Sequence, residues 1–220
     1  MKNRIVLLGP PASGKGTQAA LLSATFGIPA TSTGAMLREE KARGSAVGLE
    51  ADRWTSAGEL FPDELALRVV WNWIDGRKRF ILDGFPRTVG QAHSFDEGLE
   101  ERDLPLDVVY FLNLSDELVR ERMTSRVTCG DCGSVFNEKF HNLRSGSACP
   151  KCGGILARRN DDTEEALARR LSQYREHTLP VASHYRGRGL LREVDVTAGR
   201  DEVFHRLYRD LRGEAFEEAA

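Results

Sequence analysis

A glycine-rich segment with one lysine follows the first apolar run of the chain. Residues 9–15 read GPPASGK and come directly after residues 5–8, which read IVLL. This is the pattern G-x-x-x-x-G-K, in which glycines let backbone N–H groups turn towards phosphate oxygens and Lys15 adds a full positive charge. A plain glycine- and proline-rich turn explains neither Lys15 nor the hydroxyl of Thr17. The segment therefore predicts a phosphate-binding loop, although Gly16 separates Lys15 from Thr17, which the general pattern makes adjacent.

A carboxylate and an arginine follow a second apolar run. Residues 80–82 read FIL and lead into Asp83, and Arg87 comes four residues later. Because the carboxyl ends of neighbouring parallel strands meet at one edge of a sheet, we expect Asp83 and Arg87 beside the phosphate loop. A carboxylate in that place can hold Mg²⁺, directly or through water. The alternative is that Asp83 only caps the turn that follows it.

All four cysteines lie in two short pairs. Cys129 and Cys132 form one C-x-x-C pair, Cys149 and Cys152 form the other, and 16 residues separate the pairs. This spacing is typical of a tetrahedral site with four thiolate ligands, which leaves no position open for water or substrate. We therefore expect a structural zinc. Iron is the alternative metal, two disulfides are the alternative chemistry, and His141, between the pairs, is a less favoured ligand.

The rest of the pattern indicates an α/β core that positions these groups. Apolar runs predict parallel strands at residues 5–8, 80–82 and 108–112, with shorter ones at 28–31 and 190–194. Helices are predicted at residues 14–26, 62–75, 115–125, 162–177 and 200–212. Capping boxes mark two helix starts, Asp162 with Glu165 and Thr88 with Gln91. Strands that alternate with helices indicate a doubly wound parallel sheet.

Two stretches break this alternation and predict insertions on the core. Residues 32–61 are helical, polar and rich in small side chains. Residues 127–158 carry the four cysteines together with glycines typical of turns and short hairpins.

Length, composition and charge exclude several classes of protein. The chain has 220 residues, of which 40% are hydrophobic and 29% charged, so it has neither the composition of a disordered chain nor too few residues for a sizeable core. A formal charge of −2 gives no overall positive field for nucleic acid or anionic lipid. No apolar run approaches the ~18–20 residues of a membrane span, and residues 5–8 are too short for a signal-peptide core. We expect a cytoplasmic protein with reduced cysteines and no membrane or nucleic-acid partner.

Several motifs in one order make the chain resemble the nucleoside monophosphate kinases, most closely the bacterial adenylate kinases of the long form with a zinc-bearing lid. The motifs are GPPASGKGTQ at 9–18, STGAMLR at 32–38, DGFPRT at 83–88 with Gln91, and RNDD at 159–162 with Arg170. The resemblance covers nearly the whole chain. It implies a P-loop core of residues 1–31, 62–123 and 162–220, a helical insertion that binds AMP at 32–61, and a zinc-binding lid at 124–161.

The resemblance also implies reversible, Mg²⁺-dependent phosphoryl transfer from ATP to AMP, giving two ADP, by a monomer. It implies ATP contacts from Ala12, Ser13, Gly14, Lys15, Gly16, Thr17, Arg122, Arg126, Val135, Phe136 and Ala198. It implies AMP contacts from Thr33, Arg38, Glu59, Leu60, Phe61, Gly84, Phe85, Pro86, Arg87, Gln91, Arg159 and Arg170. The groups implied in catalysis are Lys15, Arg87, Arg126, Arg159 and Arg170, with zinc on Cys129, Cys132, Cys149 and Cys152 and magnesium near Asp83, through water.

The recurrence of arginine in this set fits the implied reaction. The attacking oxygen of AMP is already anionic at neutral pH, so no general base is required and catalysis consists of positioning and charge stabilisation. Without the resemblance, Arg122 and Arg126, spaced i and i+4, would indicate an ordinary solvated helix face.

A few residues depart from the family pattern. Ala12 stands where the family usually has glycine. Val127 and Asn160 stand where arginine and lysine are common, so we expect a lid with fewer charges and weaker closure.

Two other functions fit part of the pattern. A UMP or CMP kinase shares most of the motifs, but Thr33, Thr88 and the long zinc-bearing lid favour AMP. An ATP-driven switch with a nucleic-acid-binding zinc ribbon belongs to a different class. Residues 133–148 offer only Lys139 and Arg144 as basic side chains, which is a weak platform for nucleic acid.

Overall fold

The computed structural model describes residues 1–50, 62–158 and 163–216, apart from the side chains at positions 140 and 141. Part of each predicted insertion lies outside these ranges. So do four of the predicted nucleotide-binding residues, Glu59, Leu60, Phe61 and Arg159.

The strands of the described chain form two sheets. Their bounds are β1 Arg4–Leu8, β2 Ala30–Ser32, β3 Phe80–Asp83, β4 Val108–Asn113, β5 Arg126–Cys129, β6 Val135–Asn137, β7 Leu156–Ala157 and β8 Leu191–Asp195. Five of them form a parallel sheet in the order β2-β3-β1-β4-β8. The other three form a small antiparallel sheet in the order β6-β5-β7. The doubly wound parallel sheet predicted from the sequence is confirmed.

Helices cover both faces of the parallel sheet. Their bounds are α1 Lys15–Phe26, α2 Thr33–Ala42, α3 Asp63–Ile74, α4 Val89–Glu100, α5 Asp116–Thr124, α6 Glu138–His141, α7 Glu164–Gln173, α8 Leu179–Gly187 and α9 Arg200–Leu211. A π-helical turn, Tyr174–Thr178, joins α7 to α8, and residues 46–50 are also helical. One face packs against α2, α3, α4 and α8, and the other against α1, α5, α7 and α9. In the described ranges, no helix has both the length and the apolar character needed to cross a membrane.

The alternation of side chains along each strand divides the core between the two faces. In β3, Phe80 and Leu82 pack into one apolar cluster and Ile81 packs into the other, and all three are fully buried. Such strands read as uninterrupted apolar runs because helices cover both of their faces. The same alternation places Asp83 on the face of Ile81, which is the face that α1 covers.

The second strand begins later than predicted. The sequence predicted a strand at residues 28–31, whereas β2 pairs with β3 from Ala30 to Ser32. Pro29 has no N–H to give to a sheet, and only its carbonyl takes part, accepting from the N–H of Ile81 at 2.8 Å.

The helix predicted at residues 162–177 differs at both ends. Its cap is Thr163, whose hydroxyl accepts from the N–H of Ala166 at 3.1 Å, one residue later than the predicted Asp162 cap. The helical path also continues beyond residue 177 into α8, although Pro180 stands in the way. Proline lacks an N–H and its ring crowds the preceding turn, and the π-helical turn before it supplies the extra width.

Gly98, inside α4, provides a test of the packing on the α3 side of the sheet. A Cβ at this position would lie 2.5 Å from Cζ2 of Trp71, whose ring also packs against the Arg102 guanidinium at 4.4 Å and against Phe95. We expect Gly98→Ala to lower the free energy of unfolding by about 1–2 kcal/mol, because overpacking outweighs the better helix propensity of alanine. Urea denaturation measures the difference.

Gly187 is the control, because it is also a helical glycine, the last residue of α8, and a Cβ added there would have no other atom within 4 Å. Gly187→Ala should therefore be neutral or stabilising. A Gly98→Ala variant as stable as the wild-type protein would contradict the packing.

Candidate active site

The predicted site residues gather at the carboxyl end of the parallel sheet. β1 lies between β3 and β4 in the sheet. The chain first builds the side of β2 and β3 and then crosses over β1 to β4 and β8, so the order of connection reverses at β1. Open α/β sheets bind ligands in the crevice that such a reversal leaves. The loop of residues 9–14 leaves β1 at this point and enters α1.

The loop folds around the ammonium group of Lys15. The Nζ donates to the carbonyl oxygens of Gly9 at 3.0 Å and Pro10 at 2.8 Å and lies 3.4 Å from the hydroxyl of Ser13. Gly9 has φ +140°, and a Cβ there would lie 2.4 Å from the carbonyl oxygen of Leu112, at the end of β4. Glycine is thus required where the loop leaves β1, since any side chain would strike the neighbouring strand.

The backbone conformation at Ala12 explains why the family usually has glycine at this position. Its φ is +57°, in the left-handed region that costs an L-residue with a Cβ roughly 1–2 kcal/mol. The loop keeps its shape with alanine, at some cost in stability.

The structure gives a geometric reason for glycine at position 16 that the sequence did not reveal. A Cβ at Gly16 would lie 3.1 Å from Oδ2 of Asp83. Because β3 puts this carboxylate on the face of α1, the first turn of α1 approaches it closely. A residue with a side chain between Lys15 and Thr17 would therefore require the Asp83 carboxylate to move by a few tenths of an ångström.

Electrostatic interactions connect five of the predicted residues in this crevice. Burial lowers the pKa of Lys15 to about 8, with Asp83 opposing the shift and Arg87 and Arg126 adding to it. Burial raises the pKa of Asp83, which Lys15 and Arg87 pull back down. The Arg87 side chain stays open to water, yet the crevice desolvates it enough to lower its pKa, and Arg170 adds to the shift. The crevice therefore holds more positive than negative charge, which suits a phosphate-bearing ligand.

The turn between β3 and α4 is tied to the start of α2 through Gly84. Its carbonyl accepts from Nε of Arg87 at 3.0 Å and from the hydroxyl of Thr33 at 3.3 Å. Phe85 and Pro86, joined by a cis peptide bond, are buried, so they offer backbone rather than side-chain groups to a ligand.

The capping box predicted for Thr88 and Gln91 is only half formed at the start of α4. The hydroxyl of Thr88 accepts from the N–H of Gln91 at 3.0 Å, which confirms Thr88 as the cap. The amide oxygen of Gln91, however, accepts from the N–H of Arg87 at 2.7 Å rather than from that of Thr88. The side chain therefore fixes the Arg87 backbone instead of closing a capping box.

Asp63 is a residue that the sequence analysis missed. Its Oδ1 accepts from Nε2 of Gln91 at 2.7 Å, and its Oδ2 accepts from the hydroxyl of Thr88 at 2.8 Å. The pattern around it predicted only the start of a helix. Its partners lie 25 and 28 residues away, so no local motif signals the contact.

The remaining predicted AMP residues of the described chain lie at the start of α2. Ser32 caps this helix by accepting from the N–H of Ala35 at 3.1 Å. Arg38 lies one turn further on, and a Cβ at Gly34 would be 3.3 Å from its Nη1. The absence of a side chain at Gly34 gives the guanidinium room to fold back towards Thr33.

The predicted ATP residues extend towards the antiparallel sheet. Arg122 donates to the carbonyl of Val196 at 2.9 Å, two residues before the exposed Ala198. Val135 is exposed on β6, while Phe136 packs against the small core of this sheet. That core also holds Val127, which replaces a family arginine and is fully buried.

The four cysteines lie at the end of the antiparallel sheet and fit a tetrahedral metal site. All four sulfur atoms lie within 4.8 Å of one another. Sγ of Cys129 lies 3.5 Å from that of Cys152, and Sγ of Cys132 lies 3.7 Å from that of Cys149. Zn–S bonds of about 2.3 Å in a tetrahedron place sulfurs about 3.8 Å apart. The thiols are not joined as disulfides.

The chain is similar to known proteins along nearly its whole length. Residues 7–190 match the family described as adenylate kinase. The chain is 39% identical over 206 residues to the adenylate kinase of Clostridium tetani, covering 92% of this chain and 95% of that protein. It is 41% identical over 207 residues to that of Thermodesulfovibrio yellowstonii, covering 93% and 96%. With the adenylate kinase of Syntrophotalea carbinolica it shares 43% identity over 195 residues, covering 87% and 90%.

The lowered pKa of Lys15 predicts how anion binding depends on pH. With a pKa of about 8, the ammonium is mostly charged at pH 7 and mostly neutral above pH 9. We expect affinity for inorganic triphosphate, measured by calorimetry, to fall about tenfold relative to a Lys15→Arg variant between pH 7.5 and pH 9.5. The Lys15→Arg variant keeps its charge throughout and corrects for ionisation of the ligand. Parallel pH profiles for the two proteins would contradict the assignment.

Proposed function

The chain belongs to the adenylate kinase family, and we propose that the crevice at the carboxyl ends of β1 and β3 is where it acts. The reaction is phosphoryl transfer from ATP to AMP, giving two ADP. The observation that carries the site is a connected set of charges in this crevice. Lys15 interacts with Asp83, Arg87 and Arg126, and Arg87 interacts with Arg170.

The phosphate loop is the proposed site for ATP. Backbone N–H groups of residues 12–17, at the start of α1, would hold the phosphates, and the Lys15 ammonium would exchange its loop carbonyls for phosphate oxygens. Arg122, anchored on the backbone of Val196, and Ala198 would border the adenine. Val135 and Phe136 would meet ATP from the antiparallel sheet.

AMP is proposed to bind on the β2 side of the crevice. Thr33 and Arg38 at the start of α2, the Gly84 to Arg87 turn and Gln91 would contact it there. Glu59, Leu60, Phe61 and Arg159 complete the proposed set from outside the described residues.

Charge stabilisation is the proposed source of catalysis. The AMP phosphate attacks as an anion, so no side chain has to remove a proton. Lys15, Arg87, Arg126 and Arg170 would stabilise the charge on the transferred group, together with Arg159. Burial lowers the pKa of Lys15 and Arg87, and repulsion from neighbouring arginines adds to that shift. Anionic phosphates that enter the crevice would relieve this repulsion.

Asp83 is the proposed protein contact of the magnesium ion that accompanies ATP. Its carboxylate lies against the first turn of α1, as its close approach to Gly16 requires. Magnesium usually keeps several waters, so contact through water suits a carboxylate in this position. The bound ion would supply charge neutralisation at the phosphates.

Two insertions and one metal site complete the proposal. Residues 32–61 would close over AMP and residues 124–161 over ATP, with residues 1–31, 62–123 and 162–220 as the core. A zinc ion on the four cysteines would stabilise the second insertion, whose apolar core in the described chain has only four buried residues, Val127, Cys129, Cys149 and Leu156.

A cytoplasmic monomer is the proposed form of the protein. Four free thiols suit a reducing compartment. The large apolar side chains that the described surface exposes are scattered, namely Met1, Leu49, Val135, Ile155 and Leu179.

Measuring diphosphate formation from ATP, Mg²⁺ and each nucleoside monophosphate tests the substrate. We expect AMP to give the highest kcat/KM, and a higher value with UMP or CMP would favour the UMP/CMP kinase alternative.

In the same assay, Arg87→Ala should lower kcat by about 10³-fold or more. Arg209→Ala is the control and should leave kcat unchanged. This exposed arginine pairs with Glu214 near the C-terminal end of α9, where the carbonyl of Leu211 accepts from the N–H of Lys2 at the amino end of the sheet. Equal activity of the two variants would contradict the site.

Removing zinc tests its structural role. We expect a strong chelator at elevated temperature to lower Tm by about 5–10 °C, which corresponds to roughly 2–3 kcal/mol in a chain of this size. Turnover below the new Tm should change little, because the site has no open position. A Cys132→Ser variant is the control, since the chelator should shift its Tm less. Loss of turnover in a protein that is still folded would contradict a structural zinc.

A further inference from the structure

Two side chains from different elements hold the backbone of Arg87. Its N–H donates to Oε1 of Gln91 at 2.7 Å, and its carbonyl accepts from the hydroxyl of Thr178 at 3.1 Å. Gln91 and Thr178 are both buried. With both peptide groups bonded, the backbone cannot rotate at this residue without losing a hydrogen bond, so the direction in which the Cα–Cβ bond of Arg87 leaves the backbone is restrained. The guanidinium is then held by its own bond from Nε to the carbonyl of Gly84 at 3.0 Å.

The Gln91 side of this arrangement is itself immobilised. The amide nitrogen of Gln91 donates to Asp63 at 2.7 Å, and Asp63 also accepts from Thr88 at 2.8 Å. Since the nitrogen must face the carboxylate, the amide oxygen must face the N–H of Arg87. On the other side of the Arg87 backbone, the carbonyl is held by Thr178.

Thr178 uses its hydroxyl in an unusual way for its position. It immediately precedes α8, where a threonine hydroxyl often caps the new helix, but it makes no cap bond. The preceding π-helical turn already satisfies the next N–H group, since Leu179 donates to the carbonyl of Tyr174. The hydroxyl of Thr178 is thus left to reach Arg87, 91 residues earlier in the chain.

The same helical segment connects Arg87 with Arg170. Arg170 lies in α7, one turn before the π-helical turn that ends in Thr178. Its charge reaches Arg87, whose pKa it helps to lower. One continuous segment therefore supplies both a neighbouring cation and the bond that orients Arg87.

We propose that Thr178 is a positioning residue for phosphoryl transfer, whose hydroxyl holds the Arg87 carbonyl so that the guanidinium points at the transferred group. This inference rests on the proposed function. In this proposal the π-helical turn places Thr178 against the turn between β3 and α4.

Thr178→Val tests the proposal, because valine keeps the branched shape and removes only the donor. We expect kcat for ADP formation to fall about tenfold or more, because a small displacement of a catalytic group costs up to about a hundredfold. The KM for ATP should stay within about twofold, since the Thr178 hydroxyl is bonded to Arg87 and not to the proposed ATP site. Thr178→Ser keeps the hydroxyl and should retain kcat within about twofold.

A double-mutant cycle separates positioning from a general structural role. In an Arg87→Ala background there is no guanidinium to orient, so Thr178→Val should lower kcat by less than about twofold. An equal loss in both backgrounds would show that Thr178 acts elsewhere and would overturn the proposal. Unchanged kcat in Thr178→Val, with or without a lower Tm, would overturn it as well.

A fallback variant and a wild-type control allow each outcome to be interpreted. If Thr178→Val does not fold, Thr178→Ala is compared with Thr178→Ser at a temperature at which circular dichroism shows both fully folded, with the same expected split. If the wild-type protein forms no ADP from ATP and AMP, the proposed function fails. If it does and only the variant prediction fails, the inference about Thr178 alone is wrong.

Discussion

Cations that repel one another must be held together in one crevice of this protein. The rest of the fold positions these cations and offsets the free energy that their proximity costs. Lys15 repels Arg87 and Arg126, and Arg87 also repels Arg170. Desolvation in the crevice removes part of the water that would screen Lys15 and Arg87. Asp83 offsets some of the repulsion, at the cost of its own desolvation. Such an arrangement is unfavourable by itself, so apolar packing elsewhere must stabilise it. The two apolar clusters on either face of the sheet supply that packing.

The topology divides the cations among elements that are far apart in the chain. Lys15 comes from α1, Arg87 from the turn after β3, Arg126 from β5 and Arg170 from α7. Hydrogen bonds then fix individual groups within this frame, as Gln91 and Thr178 do for the Arg87 backbone. Because the frame is assembled from distant segments, each cation gains its position only when the whole fold forms.

Residues whose chemistry is local could be predicted from the sequence, and residues joined by long-range contacts could not. The phosphate loop and the cysteine pairs have a fixed spacing, and the structure brings the sulfur atoms of the four cysteines within 4.8 Å of one another. The parallel strands follow from their apolar runs. Asp63 and Thr178 lie 28 and 91 residues from their partners, and neither carries a recognisable motif. The late start of β2 and the π-helical turn depend on the missing N–H of a proline, whose effect is decided by the neighbouring strand or helix turn.

The register of β3 against β1 has a consequence for how this protein can change over time. Leu7 lies opposite Asp83, and the pairing continues to Gly84, whose N–H donates to the carbonyl of Leu7 at 3.0 Å. Side chains alternate between faces, so a one-residue insertion or deletion in β3 would carry the carboxylate to the far side of the sheet, away from α1. Lengthening the connections outside the sheet leaves that register intact. We therefore expect changes in chain length to be tolerated in the segments between the strands and not within β3, where the position of one carboxylate depends on the register.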